Sequence, residues 1–183
     1  MSATVRIAGN EIRNFSGSGI LAISVTGATI EDNTILPGAF ANQIPIGGCA
    51  GVTGVGAANG LSFVGTADSL VQRNTVHLVP ALDGDGATPC TTGIIVVGDN
   101  GAATADSTDN VFRMNGITGQ GTYAVLVGTD TSMAETGNQF ISNSVGSFIP
   151  SAATVFLGTG ATGNTFIGYF PSIEGNQAGN SFP

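Results

Sequence analysis

An asparagine followed two positions later by Ile, Val or Phe recurs seven times in this chain, and nothing else in it constrains the fold as strongly. The phrase reads GNEI at Asn10, DNTI at Asn33, RNTV at Asn74, DNVF at Asn110, GNQF at Asn138, GNTF at Asn164 and GNSF at Asn180. Successive asparagines lie 23, 41, 36, 28, 26 and 16 residues apart. A constant phrase at variable intervals means one structural coil per repeat, with the insertions confined to loops. Between the phrases run GILAIS at 19–24, GLSFVG at 60–65, GIIVVG at 93–98, YAVLVG at 123–128 and ATVFLG at 153–158. These short runs, rich in β-branched residues and bounded by Gly or Ser, read as strands. No long 3.6-residue period occurs, which excludes layouts built on helical crossovers.

Stacked coils of this kind pair each strand with its equivalent about 4.8 Å away. Ile12, Ile35, Val76, Phe112, Phe140, Phe166 and Phe182 are then expected to form one inward column. Each asparagine is expected to turn the corner in the left-handed backbone region and to bond the next asparagine through its amide.

These phrases resemble the coils of the right-handed parallel β-helix, the pectin-lyase-like family, over about residues 5–183. The resemblance implies an all-β, single-stranded right-handed parallel β-helix of about six coils, one domain spanning residues 1–183. Enzymes, phage tail proteins and cell-surface modules share the motif, so it marks a fold and no particular activity. Lyases of that family pair a calcium-binding acidic cluster with a Lys or Arg base, and this chain has no lysine. The NTD, GHG and RIK motifs of polygalacturonases and the DPHE motif of alginate epimerases are also missing. No catalytic residue therefore carries over.

The formal net charge is −8, and all four basic residues are arginines: Arg6, Arg13, Arg73 and Arg113. Without clustered positive charge, a nucleic-acid groove is excluded and an anionic membrane surface disfavoured. No run of eighteen apolar residues is long enough to span a bilayer. An acidic surface suits neutral sugars, cations or plain solubility.

Alignment of the apolar strands at their last residue gives Ile23, Val64, Val97, Val127 and Leu157 in one column, and Ala22, Phe63, Val96, Leu126 and Phe156 in the next. Neighbouring positions face opposite ways, so both faces are apolar and the outer one needs cover. The chain's own insertions, a second copy of the chain, or a lipid or glycan would supply it. Neither end leaves room for a capping helix, so the expectation is a homo-oligomer, a lateral trimer before an end-to-end stack, or else a fragment whose caps were cut away.

The long insertions, residues 36–59, 80–92 and 99–106, build a rim where ligand-binding groups are expected: Phe40, Asn42, Gln43, Asp99 and Asp106. Within LDGDG, Asp83 and Asp85 suit a calcium turn, the one cofactor the sequence suggests. Cys49 and Cys90 each lie 16 residues after a repeat asparagine. A shared register would set them at disulfide distance, which points to an oxidising compartment; two free thiols are the other reading.

Stacking also aligns the residues before the asparagines, so Asp32, Arg73 and Asp109 read as one column. Their outer carboxylates would stand about 10 Å apart, near the separation used in inverting glycoside hydrolysis. The arginine between them depresses both acids, which favours a surface ion-pair ladder. His77 falls in the next column near Arg113, placed as a proton shuttle or as an ordinary exposed side chain. The chain is thus expected to be a non-catalytic structural or glycan-binding module of a secreted, cell-surface or phage protein. The alternative is a polysaccharide-active lyase or glycoside hydrolase using Asp32, Arg73, Asp109 and His77.

Overall fold

The computed structural model describes residues 5–15, 17–36, 59–79, 91–98, 105–128, 133–175 and 178–183. They form short strands and no helix. In chain order these are β1 (Arg6–Ala8), β2 (Glu11–Arg13), β3 (Ser18–Ile23), β4 (Thr29–Glu31), β5 (Thr34–Leu36), β6 (Asn59–Val64) and β7 (Leu70–Gln72). Then come β8 (Thr75–Leu78), β9 (Thr92–Val97), β10 (Ser107–Thr108), β11 (Val111–Arg113), β12 (Gly116–Gly121), β13 (Tyr123–Val127) and β14 (Glu135–Thr136). The last six are β15 (Gln139–Ile141), β16 (Phe148–Pro150), β17 (Val155–Leu157), β18 (Ala161–Thr162), β19 (Thr165–Ile167) and β20 (Ile173–Gly175).

A first sheet runs β1-β4-β7-β11-β15-β19, a second β2-β5-β8-β12-β16, and a third β3-β6-β9-β13-β17-β20. A fourth, β10-β14-β18, is prolonged by the bridges Thr26 to Ala67 and Ala67 to Thr108. All pairing is parallel. Through β19 the chain visits the first three sheets in turn, and from β10 onward the fourth as well; β20 then joins the third sheet directly after β19. This all-β, parallel, sheet-stacked arrangement is compatible with a parallel β-helix.

Three-residue strands turn only their middle side chain inward, which is why one apolar residue per phrase suffices. In the first sheet the inward column is Ile7, Ile30, Val71, Phe112, Phe140 and Phe166. In the second it is Ile12, Ile35, Val76 and Ile117. The single column expected from the sequence is therefore two: Ile12, Ile35 and Val76 belong to one sheet, and Phe112, Phe140 and Phe166 to another. The rings decide the matter. Phe112 and Phe140 stack at 4.8 Å and 7°, and Phe140 and Phe166 at 4.6 Å and 3°, which only residues on adjacent rungs can do. Burying each ring stabilises by about 1.5–3 kcal/mol.

The asparagines likewise form two ladders. In one, the backbone N–H and side-chain Nδ2 of Asn10 both donate to Asn33 Oδ1, and the pattern repeats from Asn33 to Asn74, Asn74 to Asn115 and Asn115 to Asn143. In the other, Ser69 N–H donates to Asn110 Oδ1, and the ladder continues through Asn138, Asn164 and Asn180. The 36-residue interval between Asn74 and Asn110 is thus a step from one corner to another, and Asn115 and Asn143 are the true successors of Asn74. The left-handed residue is the one before each asparagine, not the asparagine: Asp32, Arg73 and Met114 have φ of 56°, 54° and 54°. That placement frees the asparagine to aim both of its donors along the stack.

The third sheet keeps both faces apolar with a register different from the one expected. Val127 pairs with Val96 and Leu126 with Ile95, so Ala22, Phe63, Val96, Val127 and Leu157 line the interior. The outer face carries Ile95, Val97 and Leu126, only 6%, 7% and 3% exposed within the single chain. At its margin Leu21 and Ile23 stay 47% and 52% exposed.

Candidate functional site

Of the catalytic candidates, the corner between the first two sheets brings together only two. Arg73 follows Asp32 in the left-handed column, and its guanidinium grips that carboxylate twice, Nε to Oδ1 at 2.8 Å and Nη2 to Oδ2 at 2.7 Å. Arg73 Nη2 also reaches Glu31 Oε2 at 2.8 Å. Glu31, 9% exposed, accepts from Gln72 Nε2 at 2.7 Å and from Arg6 Nη2 at 2.7 Å. Arg113 extends the lattice by donating Nε to Gln72 Oε1 at 2.8 Å. The bonds from Arg73 hold the Asp32 carboxyl below the usual carboxylate range. Those from Gln72, Arg6 and Arg73 do the same for Glu31. Both are held as anions, the wrong state for a general acid.

Asp109 stands elsewhere. The amides run Asp32 to Gln72, Arg73 to Arg113 and Met114 to Ile141, so Met114 takes the place expected for Asp109. The Asp109 amide donates to Thr136 O, in the corner shared with Asp68 and Gly137. The expected Asp–Arg–Asp column therefore does not form, because Asn110 heads a rung of the other ladder. His77 is not beside Arg113 either: β8 pairs with β12, and His77 Nδ1 lies 3.0 Å from Thr118 Oγ1 on an exposed face. Asp106 is exposed and accepts the Ala134 N–H at 2.9 Å. Phe40, Asn42, Gln43, Asp83, Asp85, Asp99, Cys49 and Cys90 lie outside the described residues. Among the described residues no group of three or more His, Cys, Asp or Glu could hold a metal. No helix there is long and apolar enough to cross a membrane.

Two features were missed from sequence. The first is Glu135, fully buried in β14 where the column otherwise holds Ser107 and Ala161. Gly98 N–H donates to its Oε1 at 2.6 Å, while Oε2 has no hydrogen-bond partner among the described residues. A Cβ on Gly128 or Gly160 would stand 2.8 or 2.6 Å from Oε2, so the carboxyl fits only because those residues are glycine. Burial pushes this acid up to about 7, the Gly98 N–H opposing and the Asp106 charge adding. A carboxyl near 7 has the strength of a general acid, yet this one is sealed from any polymer.

The second is an aromatic pair on the outer face of the third sheet. Tyr123 and Phe156 are half-buried, their centroids 5.2 Å apart at 39°. Side-chain parity breaks here as in the earlier coils: Ala124 and Val125 both pack in the core, where Gly93 and Ile94 stand one rung before, and Tyr123 joins Leu126 in the outer cluster. Glu174 pairs with Phe156 on the next strand and is exposed. Burial, then the Glu174 charge, push the Tyr123 phenol up.

No family model, curated protein or solved structure matches the chain.

Proposed function

We propose that the chain is a single-stranded right-handed parallel β-helix of about six coils, similar to the pectin-lyase-like family. Its function on this reading is that of a non-catalytic structural or glycan-binding module of a secreted, cell-surface or phage protein. The cyclic order in which the strands enter the sheets supports the first part. The second rests on one observation above all: Asp32 and Glu31 are locked into a lattice with Arg6, Gln72 and Arg73. Charges so neutralised stiffen a corner, and they are poor partners for proton transfer. A homo-oligomer, a lateral trimer before an end-to-end stack, goes with this reading, supported by the exposed Leu21 and Ile23.

A polysaccharide panel tests it. The module reading expects retention of at least one neutral glycan with no new reducing ends and no unsaturated products. Turnover that disappears in Asp109→Asn, with the fold intact, overturns it in favour of a lyase or glycoside hydrolase.

A further inference from the structure

We propose that Tyr123, Phe156 and Glu174 form a binding platform for a neutral saccharide, with the sugar ring lying on the two aromatic side chains and its hydroxyls donating to the Glu174 carboxylate. This rests on the glycan-binding reading above and gives it a place on the molecule.

The register provides the first argument. Tyr123 pairs with Thr92 and takes the rung that Ser18, Asn59 and Thr92 hold in the earlier coils, so a ring stands where those coils carry polar side chains. Tyr123 meets Phe156 at 5.2 Å, and both rings pack against the outer cluster that holds Leu126, 3% exposed and paired with Phe156.

Chemistry selects the occupant. Aromatic faces carry partial negative charge and attract the polarised C–H bonds on one side of a pyranose ring. Glu174, one rung beyond Phe156, is an acceptor beside an apolar surface, the combination that orients a ligand in a site. A purely apolar partner would bury that carboxylate unpaired, which is costly, whereas sugar hydroxyls satisfy it. An acidic sugar would meet Glu174 and a chain of net charge −8, both repulsive.

The sequence supplies its own reporter. The chain has two tyrosines and no tryptophan. Tyr169 is 71% exposed, so Tyr169→Phe leaves Tyr123 as the one emitting residue with the fold unchanged. In that background the full chain is titrated with β-1,4-glucan, β-1,4-mannan and α-1,4-glucan hexasaccharides and with hexagalacturonate, followed by tyrosine emission and calorimetry. The platform expects at least one neutral hexasaccharide to bind and change Tyr123 emission saturably. Phe156→Leu, which keeps apolar volume and removes the ring, should weaken that binding about tenfold or more. Hexagalacturonate should bind at least about tenfold more weakly than the neutral sugar. Calorimetric binding that leaves Tyr123 emission unchanged and survives Phe156→Leu overturns the platform while the glycan reading stands. Equal or tighter binding of hexagalacturonate overturns the neutral preference. Absence of binding by every neutral hexasaccharide, with an unchanged circular dichroism spectrum, removes both.

Discussion

Phe140 lies flat on Phe112, 4.8 Å away and 7° from parallel, and receives Phe166 on its other face at 4.6 Å. It is fully buried, whereas its neighbour Gln139 is exposed. Phe140→Ala should therefore cost about 3–5 kcal/mol, because stacked rungs on both sides cannot collapse into the cavity. Gln139→Ala should cost less than about 0.5 kcal/mol. Urea denaturation of the two variants checks this, and a reversed order would mean the register is wrong.

The ladders make a second contrast. Asn138 is buried, accepts from the N–H and Nδ2 of Asn110, and donates to Asn164 Oδ1 and Ser107 O. Asn138→Ala leaves several of these buried groups unpaired and should cost about 2–4 kcal/mol. Asn10 is exposed, and Asn10→Ala should cost about 1 kcal/mol or less. Thermal unfolding of both variants gives the comparison.

Ladder and core were legible in the sequence to different depths. That asparagines would bond along the stack, and that the apolar strands would have two apolar faces, followed from the repeat. The division into two columns was written on the other side of the phrase. Three residues before Asn10, Asn33, Asn74, Asn115 and Asn143 stand Ile7, Ile30, Val71, Phe112 and Phe140, all large and apolar. The same position before Asn110, Asn138 and Asn164 holds Ser107, Glu135 and Ala161. Reading only forward from the asparagine, with Ile, Val and Phe counted as equivalent, merges the two corners, although Ile or Val follows at one and Phe at the other. Tyr123 was hidden for another reason: Ala124 and Val125 both face the core, so parity changes within the strand, and periodicity assumes parity is constant.

Stability should depend on pH through Glu135. Its folded-state acidity, near 7, is weaker than the 4.5 of an ordinary glutamate, so the folded chain holds the proton more tightly than the unfolded one. The favourable contribution is complete below about pH 4.5, declines as pH rises, and is gone above about pH 7. Asp32 and Glu31 act oppositely: their depressed folded values add stability above about pH 4, lost as pH falls further. Stability should thus peak near pH 5. Glu135→Gln should gain roughly 2–3 kcal/mol relative to the parent between pH 5 and pH 8, measured by urea titration at each.

Self-association has its own test. Leu21 and Ile23 remain about half exposed beside a face whose centre is covered. Light scattering at micromolar concentration should return a multiple of the 18.1 kDa chain mass, reduced in the double variant Leu21→Ser, Ile23→Ser. A monomer at all concentrations would remove the oligomer from the proposed function.

Every asparagine-to-asparagine rung of both ladders points the same way: the earlier residue gives two protons, and the later one receives them on a single oxygen. The stack is therefore a vector, with an acceptor-first and a donor-last sense fixed by chain direction. Two such bodies meeting face to face with like ends would oppose oxygen to oxygen or proton to proton. Only head-to-tail contact continues the pattern, so any fibre that extended these ladders would be polar, with two chemically different tips.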